Sequence, residues 1–197
     1  MPDLTAIATR VPTVGDALVF PLNELYARAG LPLPRIELIS GDSMPEPYRS
    51  LLVHHNDMTP TLETFYHSDI HLEIISRHQG GEAYSREVVL RLEQSETAVE
   101  FGANKIHLAR FPSEARELIL GEHVPLGRIL KDCAVSHRTA ARAFLRVECD
   151  SVMADAFNLR EPTVLYGRKA VICNLQAQPL SEIVEILPPA GRIETGC

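Results

Sequence analysis

The most informative residue in this chain is an arginine set into an apolar strand pattern. In AYSREVVLRLEQ (83–94), Tyr84, Arg86, Val88, Leu90 and Leu92 share one parity, while Ser85, Glu87, Arg91 and Glu93 share the other with Val89 as the exception. Side chains alternate across a strand, so Arg86 falls on the core face. A guanidinium cannot escape burial by losing its proton, and it therefore needs an anion. That anion is a carboxylate of the protein or one carried by a ligand, unless the side chain lies at a strand end and snorkels to water. Arginine's planar donors suit carboxylates well.

A second charged position lies in PLSEIVEILPP (179–189). Glu182 shares parity with Val184 and Ile186, and Glu185 shares parity with Ile183 and Leu187. Two carboxylates on opposite faces of one apolar strand cannot both be comfortable in a core, and the outward one is solvated. The inward one is paired, or is held protonated and able to exchange a proton with a ligand; parity leaves open which of the two that is.

Other chemistry finds little support. His67 and His71 are four apart, and His54 and His55 adjoin Asp57, but His67 ends a helical pattern and His71 lies on a strand, so no metal site is expected. Cys133, Cys149, Cys173 and Cys197 form no C-x-x-C pair, and reduced thiols are expected. No nucleophile elbow, dinucleotide loop or phosphate-binding loop occurs.

These residues need a scaffold. PLNELYARAG (21–30) reads as a helix with Pro21 in its first turn and Gly30 at its end. TPTLETFYH (59–67) reads as another, capped by Thr59. IHLEIISRHQ (70–79), AYSREVVLRLEQ and TAVEFGANKIHL (97–108) alternate between short turns and predict an antiparallel meander. FPSEARELILG (111–121) and VPLGRILKD (124–132) read as helices. TAARAFLRVEC (139–149) alternates like a strand, and residues 163–189 read as two strands joined at QAQP. The expected fold class is α+β: an antiparallel sheet of about six strands with inserted helices enclosing a buried ligand pocket. Residues 1–50, broken by seven prolines, are expected to form an arm with one helix packed on a main body at 51–190, and 191–197 a loose tail.

At 197 residues the chain is long enough to bury about 70% of its unfolded surface without a metal or disulfide. Its 19 basic against 26 acidic residues leave a net charge of −7, which argues against a nucleic-acid partner. No apolar run approaches the roughly 18 residues of a membrane helix, and the N-terminus carries Asp3 and lacks an apolar signal core. A cytoplasmic protein with no membrane partner is expected.

Four stretches taken in order, DMTPTLE (57–63), YSREVVL (84–90), PLGRIL (125–130) and LYGRKAVICNLQAQPLSEIVEILP (165–188), resemble the chorismate pyruvate-lyase family. That family shares its fold with the UTRA ligand-sensing domains of some transcription regulators. The resemblance covers about residues 50–190. It implies an antiparallel sheet whose inserted helices bury the ligand. It also implies that Arg86 binds the substrate carboxylate, that Leu126 and Gly127 lie at a turn closing over the ligand, and that Met58 precedes the first pocket helix. Its ring-hydroxyl glutamate falls on Glu185, with Glu182 as the alternative. The implied reaction is cofactor-free elimination of pyruvate from chorismate to give 4-hydroxybenzoate. A second cation for the substrate is not assigned among Arg128, Arg168 and Lys169. The other reading is a non-catalytic protein that binds or senses an aromatic carboxylate; residues 1–50 are too short and proline-broken for a helix-turn-helix reader.

Overall fold

Short turns between alternating runs fold this chain into hairpins. The computed structural model describes residues 14–193. Strand β2 (Ile70–Gly80) turns through Gly81, at φ 61°, into β3 (Ala83–Leu92), which pairs with β4 (Ala98–His107). A second hairpin joins β6 (Val164–Cys173) to β7 (Pro179–Leu187), and the Asn174 side chain accepts from the backbone N–H groups of Gln176 and Gln178 to shape the turn. With β1 (Ile36–Ile39) and β5 (Arg138–Glu148) they make one antiparallel sheet of seven strands in the order β1-β5-β6-β7-β4-β3-β2. The fold class expected from the sequence is thus observed, with one strand more. Strand β1 is only IELI, just after Pro32 and Pro34, too short for a period to show, and it is held by pairing with β5.

Helices cover both faces. On one, α2 (Leu22–Ala29) and α7 (Ser151–Phe157) bury Leu22, Leu25, Tyr26, Met153 and Phe157 against Val89, Phe101, Val184 and Ile186. On the other, α3 (Tyr48–Leu52) and α4 (Met58–Tyr66) form one apolar cluster with Leu72, Val88 and Leu90, while α5 (Ser113–Gly121) and α6 (Leu126–Asp132) form a second with Ile172 and Ile183. This double cover explains why Val89 departed from a simple inside–outside alternation: neither face of β3 is open to water. It also buries Glu87, which accepts a hydrogen bond from Ser76 and whose carboxyl burial pushes above its ordinary pKa.

Within 1–50, the described part carries α1 (Val14–Leu18), α2, β1 and the start of α3, rather than one helix. At the other end α8 (Ala190–Ile193) buries Ile193 where the sequence reads as a loose tail; residues 194–197 lie outside the described part. TAARAFLRVEC is a strand, as its alternation suggests. Among the described residues no helix is long and apolar enough to cross a membrane.

One close approach sets the central register. A Cβ at Gly167 on β6 would lie inside contact distance of the Glu185 carbonyl oxygen and 2.9 Å from Ile186 Cγ1. Backbone cannot yield as a side-chain end can, so Gly167→Ala is expected to destabilise the fold by about 3 kcal/mol or more. A denaturant melt checks this; an unchanged midpoint would show that β6 and β7 can part freely.

Candidate ligand-binding cavity

The two apolar clusters beneath α3–α6 do not close completely. Where they meet lies an interior cavity of about 40 Å³, walled by Met58, Leu72, Val88, Leu90, Leu126 and Ile183 and by a few polar groups. Strand alternation delivers those polar groups. Cross-strand pairing sets Arg86 of β3 opposite Asn104 of β4, Leu90 opposite Glu100, and Gly102 between Val88 and Glu185 of β7. Arg86, Glu100, Asn104 and Glu185 all line the cavity. The residues singled out in the sequence, Met58, Arg86, Leu126, Gly127 and Glu185, therefore stand around one space.

Arg86 is 1% exposed, and its Nε and Nη1 have no hydrogen-bond partner. No ion pair forms to it among the described residues. Burial pulls its pKa down, opposed by the Tyr84 phenol and the Glu122 carboxylate that bonds to that phenol. Leaving a buried guanidinium nitrogen unpaired costs on the order of 1–3 kcal/mol, so the fold carries a cation with no ion pair among the described residues, offset by the Tyr84 ring 6.0 Å away and by Glu122 beyond it.

Glu185 differs. Arg168 Nε donates to its Oε2 at 2.5 Å, and Arg168 is 0% exposed. The remaining Arg168 donors reach backbone oxygens of His54 at 3.2 Å and Asn56 at 3.0 Å, so this arginine ties the loop between α3 and α4 to the sheet. The choice between the two carboxylates of β7 is thus made by position: Glu185 lines the cavity, whereas Glu182 is 28% exposed and pairs with Lys169 at 3.3 Å. The candidate second cations are all engaged: Arg168 with Glu185, Lys169 with Glu182 and the Phe20 carbonyl, Arg128 with Glu63 and Asp69.

Glu100 was missed by sequence reasoning. It is 4% exposed, and its Oε2 has no partner. Burial raises its pKa well above the carboxylate range; the nearby negative charge of Glu185 adds to this, and Arg168 opposes it. The signal was E-x-G-x-N, three positions of one parity in a strand. It becomes legible only once β4 is known to lie inside the sheet with both faces covered.

The lid over the cavity is the meeting of two helix starts. A Cβ on Gly127, in the first turn of α6, would lie 2.9 Å from Thr59 Oγ1 and 3.0 Å from Thr59 Cβ on α4. Thr59 is a buried packing residue and not the cap; Asp57 takes the N-cap position of α4. The Asp57 carboxylate does not cap the helix but reaches across to β5, accepting from Thr139 Oγ1 and meeting His137 Nε2 at 2.8 Å. Asp57 lines the cavity on one side and, with His55, Pro60 and His137, an open depression on the other.

His137 Nδ1 lies 2.7 Å from the Val135 carbonyl, which can only accept, so both ring nitrogens face acceptors and the imidazolium is favoured. The hydrogen bond to Asp57 raises the His137 pKa, against burial. Burial alone would raise the Asp57 pKa; the hydrogen bonds from His137 and Thr139 overcome it and hold that carboxyl below its ordinary value. A raised folded-state histidine pKa contributes stability that is fully present below about pH 6.5 and is lost as pH rises through the folded value. The lowered Asp57 pKa contributes above about pH 4 and is lost on acidification through its folded value. The difference in melting temperature between the wild type and His137→Gln is therefore expected to be largest between about pH 4 and 6.5 and to shrink above that. A difference that grows with pH would rule out the ion pair.

His54 is bonded to the Leu51 carbonyl and faces Arg168, and His71 faces Glu93 and Glu96. Among the described residues no three histidine, cysteine or carboxylate side chains converge as a metal site would need, and Cys133, Cys149 and Cys173 are free thiols.

A helix-covered antiparallel sheet thus carries a buried arginine without an ion pair at the wall of an interior cavity. No protein-family model matches the chain, and no curated protein matches it in sequence. Solved structures do. The chain is similar to PhnF from Mycobacterium smegmatis at 12% identity and a TM-score of 0.54, over 71% of this chain and 66% of that one. It is similar to the effector domain of the same PhnF at 11% identity and a TM-score of 0.53, over 67% and 88%. A gene product of Staphylococcus aureus subsp. aureus N315 is similar at 6% identity and a TM-score of 0.50, over 70% and 90%. At such identities the likeness is one of fold: this chain has the fold of the PhnF effector domain.

Proposed function

We propose that this chain is a binding protein for a small organic carboxylate, whose anionic end is held by Arg86 in the cavity beneath α4 and α6. One observation carries this reading: a guanidinium with unpartnered nitrogens, buried among apolar side chains, beside empty space. The effector domain of PhnF has the same fold. The apolar walls suit a hydrocarbon or aromatic body, as the resemblance to chorismate-binding proteins also implies. About 40 Å³ holds about three waters and no aromatic ring, so such a ligand enters by parting the α4 and α6 starts at Thr59 and Gly127.

The test is ligand-dependent melting with benzoate and 4-hydroxybenzoate. A ligand present at a hundred times its Kd stabilises the fold by about 2.7 kcal/mol. If no carboxylate raises the melting temperature, the reading falls.

A second reading, cofactor-free elimination of pyruvate from chorismate, is favoured by a specific feature. Two carboxyl groups in unlike settings share the cavity with the anion anchor: Glu100, unpartnered at Oε2 and with its pKa raised by burial, and Glu185, paired with Arg168. Such a split between neighbouring carboxyls is what proton transfer at a ring carbon or hydroxyl uses. Arg86 would hold the substrate carboxylate, and Met58, Leu126 and Gly127 would close over the ring. Incubation with chorismate and assay of pyruvate decides between the readings: turnover lost in Glu185→Gln supports the lyase, and binding of 4-hydroxybenzoate without turnover leaves the binding protein.

A further inference from the structure

We infer that Glu100 selects the ligand: the cavity takes an amino-carboxylate, with the anionic end on Arg86 and an ammonium group on Glu100. This rests on the carboxylate-binding reading of the cavity and deepens it.

Two groups lining this cavity have buried polar atoms without a partner, and they are of opposite kinds. Arg86 lacks acceptors at Nε and Nη1, and Glu100 lacks a partner at Oε2. They do not bond to each other. Pairing places Arg86 opposite Asn104, and Glu100 four residues before Asn104 on the same face of β4. Between them stands Gly102: the point where its Cβ would lie is 3.1 Å from Glu100 Oε1, 3.1 Å from Val88 Cγ2 and 3.4 Å from Asn104 Nδ2, so a side chain there would crowd both polar groups. A ligand bridging the cavity past Gly102 would meet the carboxyl at one end and the arginine side at the other, since Arg86, Glu100 and Asn104 line the same space.

The residue type decides what the far end must be. A glutamine of the same shape would serve a ligand hydroxyl at a lower desolvation cost, particularly beside a second carboxylate, Glu185. What only a carboxyl adds is the ability to become negative. In the empty cavity burial and the neighbouring Glu185 favour the protonated form, against Arg168. When an ammonium arrives, the Glu100 O–H ionises, its proton leaves to solvent, and N–H donors meet the two carboxylate oxygens. One ligand bound thus corresponds to one proton released, and Arg86 and Glu100 end with their charges matched by the two ends of a zwitterion.

Isothermal titration at about pH 7, in two buffers of different ionisation enthalpy, tests this with 4-methylbenzoate, 4-(hydroxymethyl)benzoate and 4-(aminomethyl)benzoate, and with butanoate against 4-aminobutanoate as a smaller pair. The ammonium ligands are expected to bind at least about tenfold more tightly than their methyl or unsubstituted counterparts. They are also expected to release close to one proton, and Glu100→Gln is expected to erase the preference. The proton count on the wild type stands even if the variant does not fold. Carboxylates that bind with no gain from the amine, or a hydroxymethyl ligand that binds best without proton release, overturn the role of Glu100 and leave the Arg86 site standing. If no carboxylate binds, both readings fall.

Discussion

Replacing Arg86 by methionine is expected to raise the melting temperature of the empty protein while abolishing carboxylate binding. Arg86 is fully buried, its Nε and Nη1 find no acceptor, and its favourable neighbours among the described residues are the Tyr84 ring, whose centroid is 6.0 Å away, and the Glu122 carboxylate beyond it. In the absence of ligand its desolvation is only partly offset, by Tyr84 and Glu122. Substitution by an apolar residue of similar length removes that cost and fills the same volume, and buried charges exchanged in this way yield about 1–4 kcal/mol. For a domain of this size each kcal/mol moves the melting temperature by roughly 2–4 °C. Binding should move the other way: the charge-assisted bonds to a carboxylate are the anchor of the site, and their loss should weaken benzoate-type ligands by about a hundredfold. Thermal melts without ligand and titration calorimetry with it check both signs. A variant that is less stable than the wild type when empty would mean that the guanidinium is satisfied from within the protein.

The second large effect runs through the other buried arginine. Glu185→Ala is expected to destabilise the fold by about 3–5 kcal/mol, because it strips the carboxylate from an Arg168 that has no exposure and no route to water. The loss should be felt in the loop between α3 and α4 as well, since the same guanidinium holds the carbonyls of His54 and Asn56. Glu182→Ala, three residues earlier on the same strand, should cost clearly less, since Glu182 itself is partly solvated and the buried Lys169 it meets keeps the Phe20 carbonyl as a partner. Urea melts of the two variants give the comparison directly. Equal effects would show that the two glutamates are not distinguished by the faces they occupy. The double replacement Arg168→Met with Glu185→Leu should recover most of the loss, because the cost comes from an orphaned charge and not from the missing pair.

Arg86 and Arg168 thus show how far a sequence can be read. Both are arginines in apolar strands, and parity placed Arg86 inside. Parity could not say that Arg168 is paired with a carboxylate seventeen positions away while Arg86 has no ion pair among the described residues and leaves Nε and Nη1 without acceptors. That depends on which strand lies alongside. Strand β6 pairs with β7 and sets Arg168 opposite Glu185, whereas β3 pairs with β4 and sets Arg86 opposite Asn104. The same limit hid Glu100. Its strand was correctly read as part of a meander, but its exposure turned on β7 pairing along the other edge of β4 and on α3–α6 covering the face. Asp57 and His137, eighty residues apart, meet only because the start of α4 docks against β5.

What the sequence determined by itself is what short range can carry. Alternation marked the long strands, glycine and proline marked turns and helix ends, and the types of Arg86 and Glu185 announced charges in apolar settings. Those signals lie within a few residues of chain, where backbone geometry alone relates one side chain to the next. The tertiary structure decided the rest: the seventh strand, the burial of both sheet faces, which glutamate of β7 turns inward, and which arginine is left without a partner. Burial and pairing are properties of neighbours brought together across the fold. The free energy of a charge is set by those neighbours and not by its place in the chain.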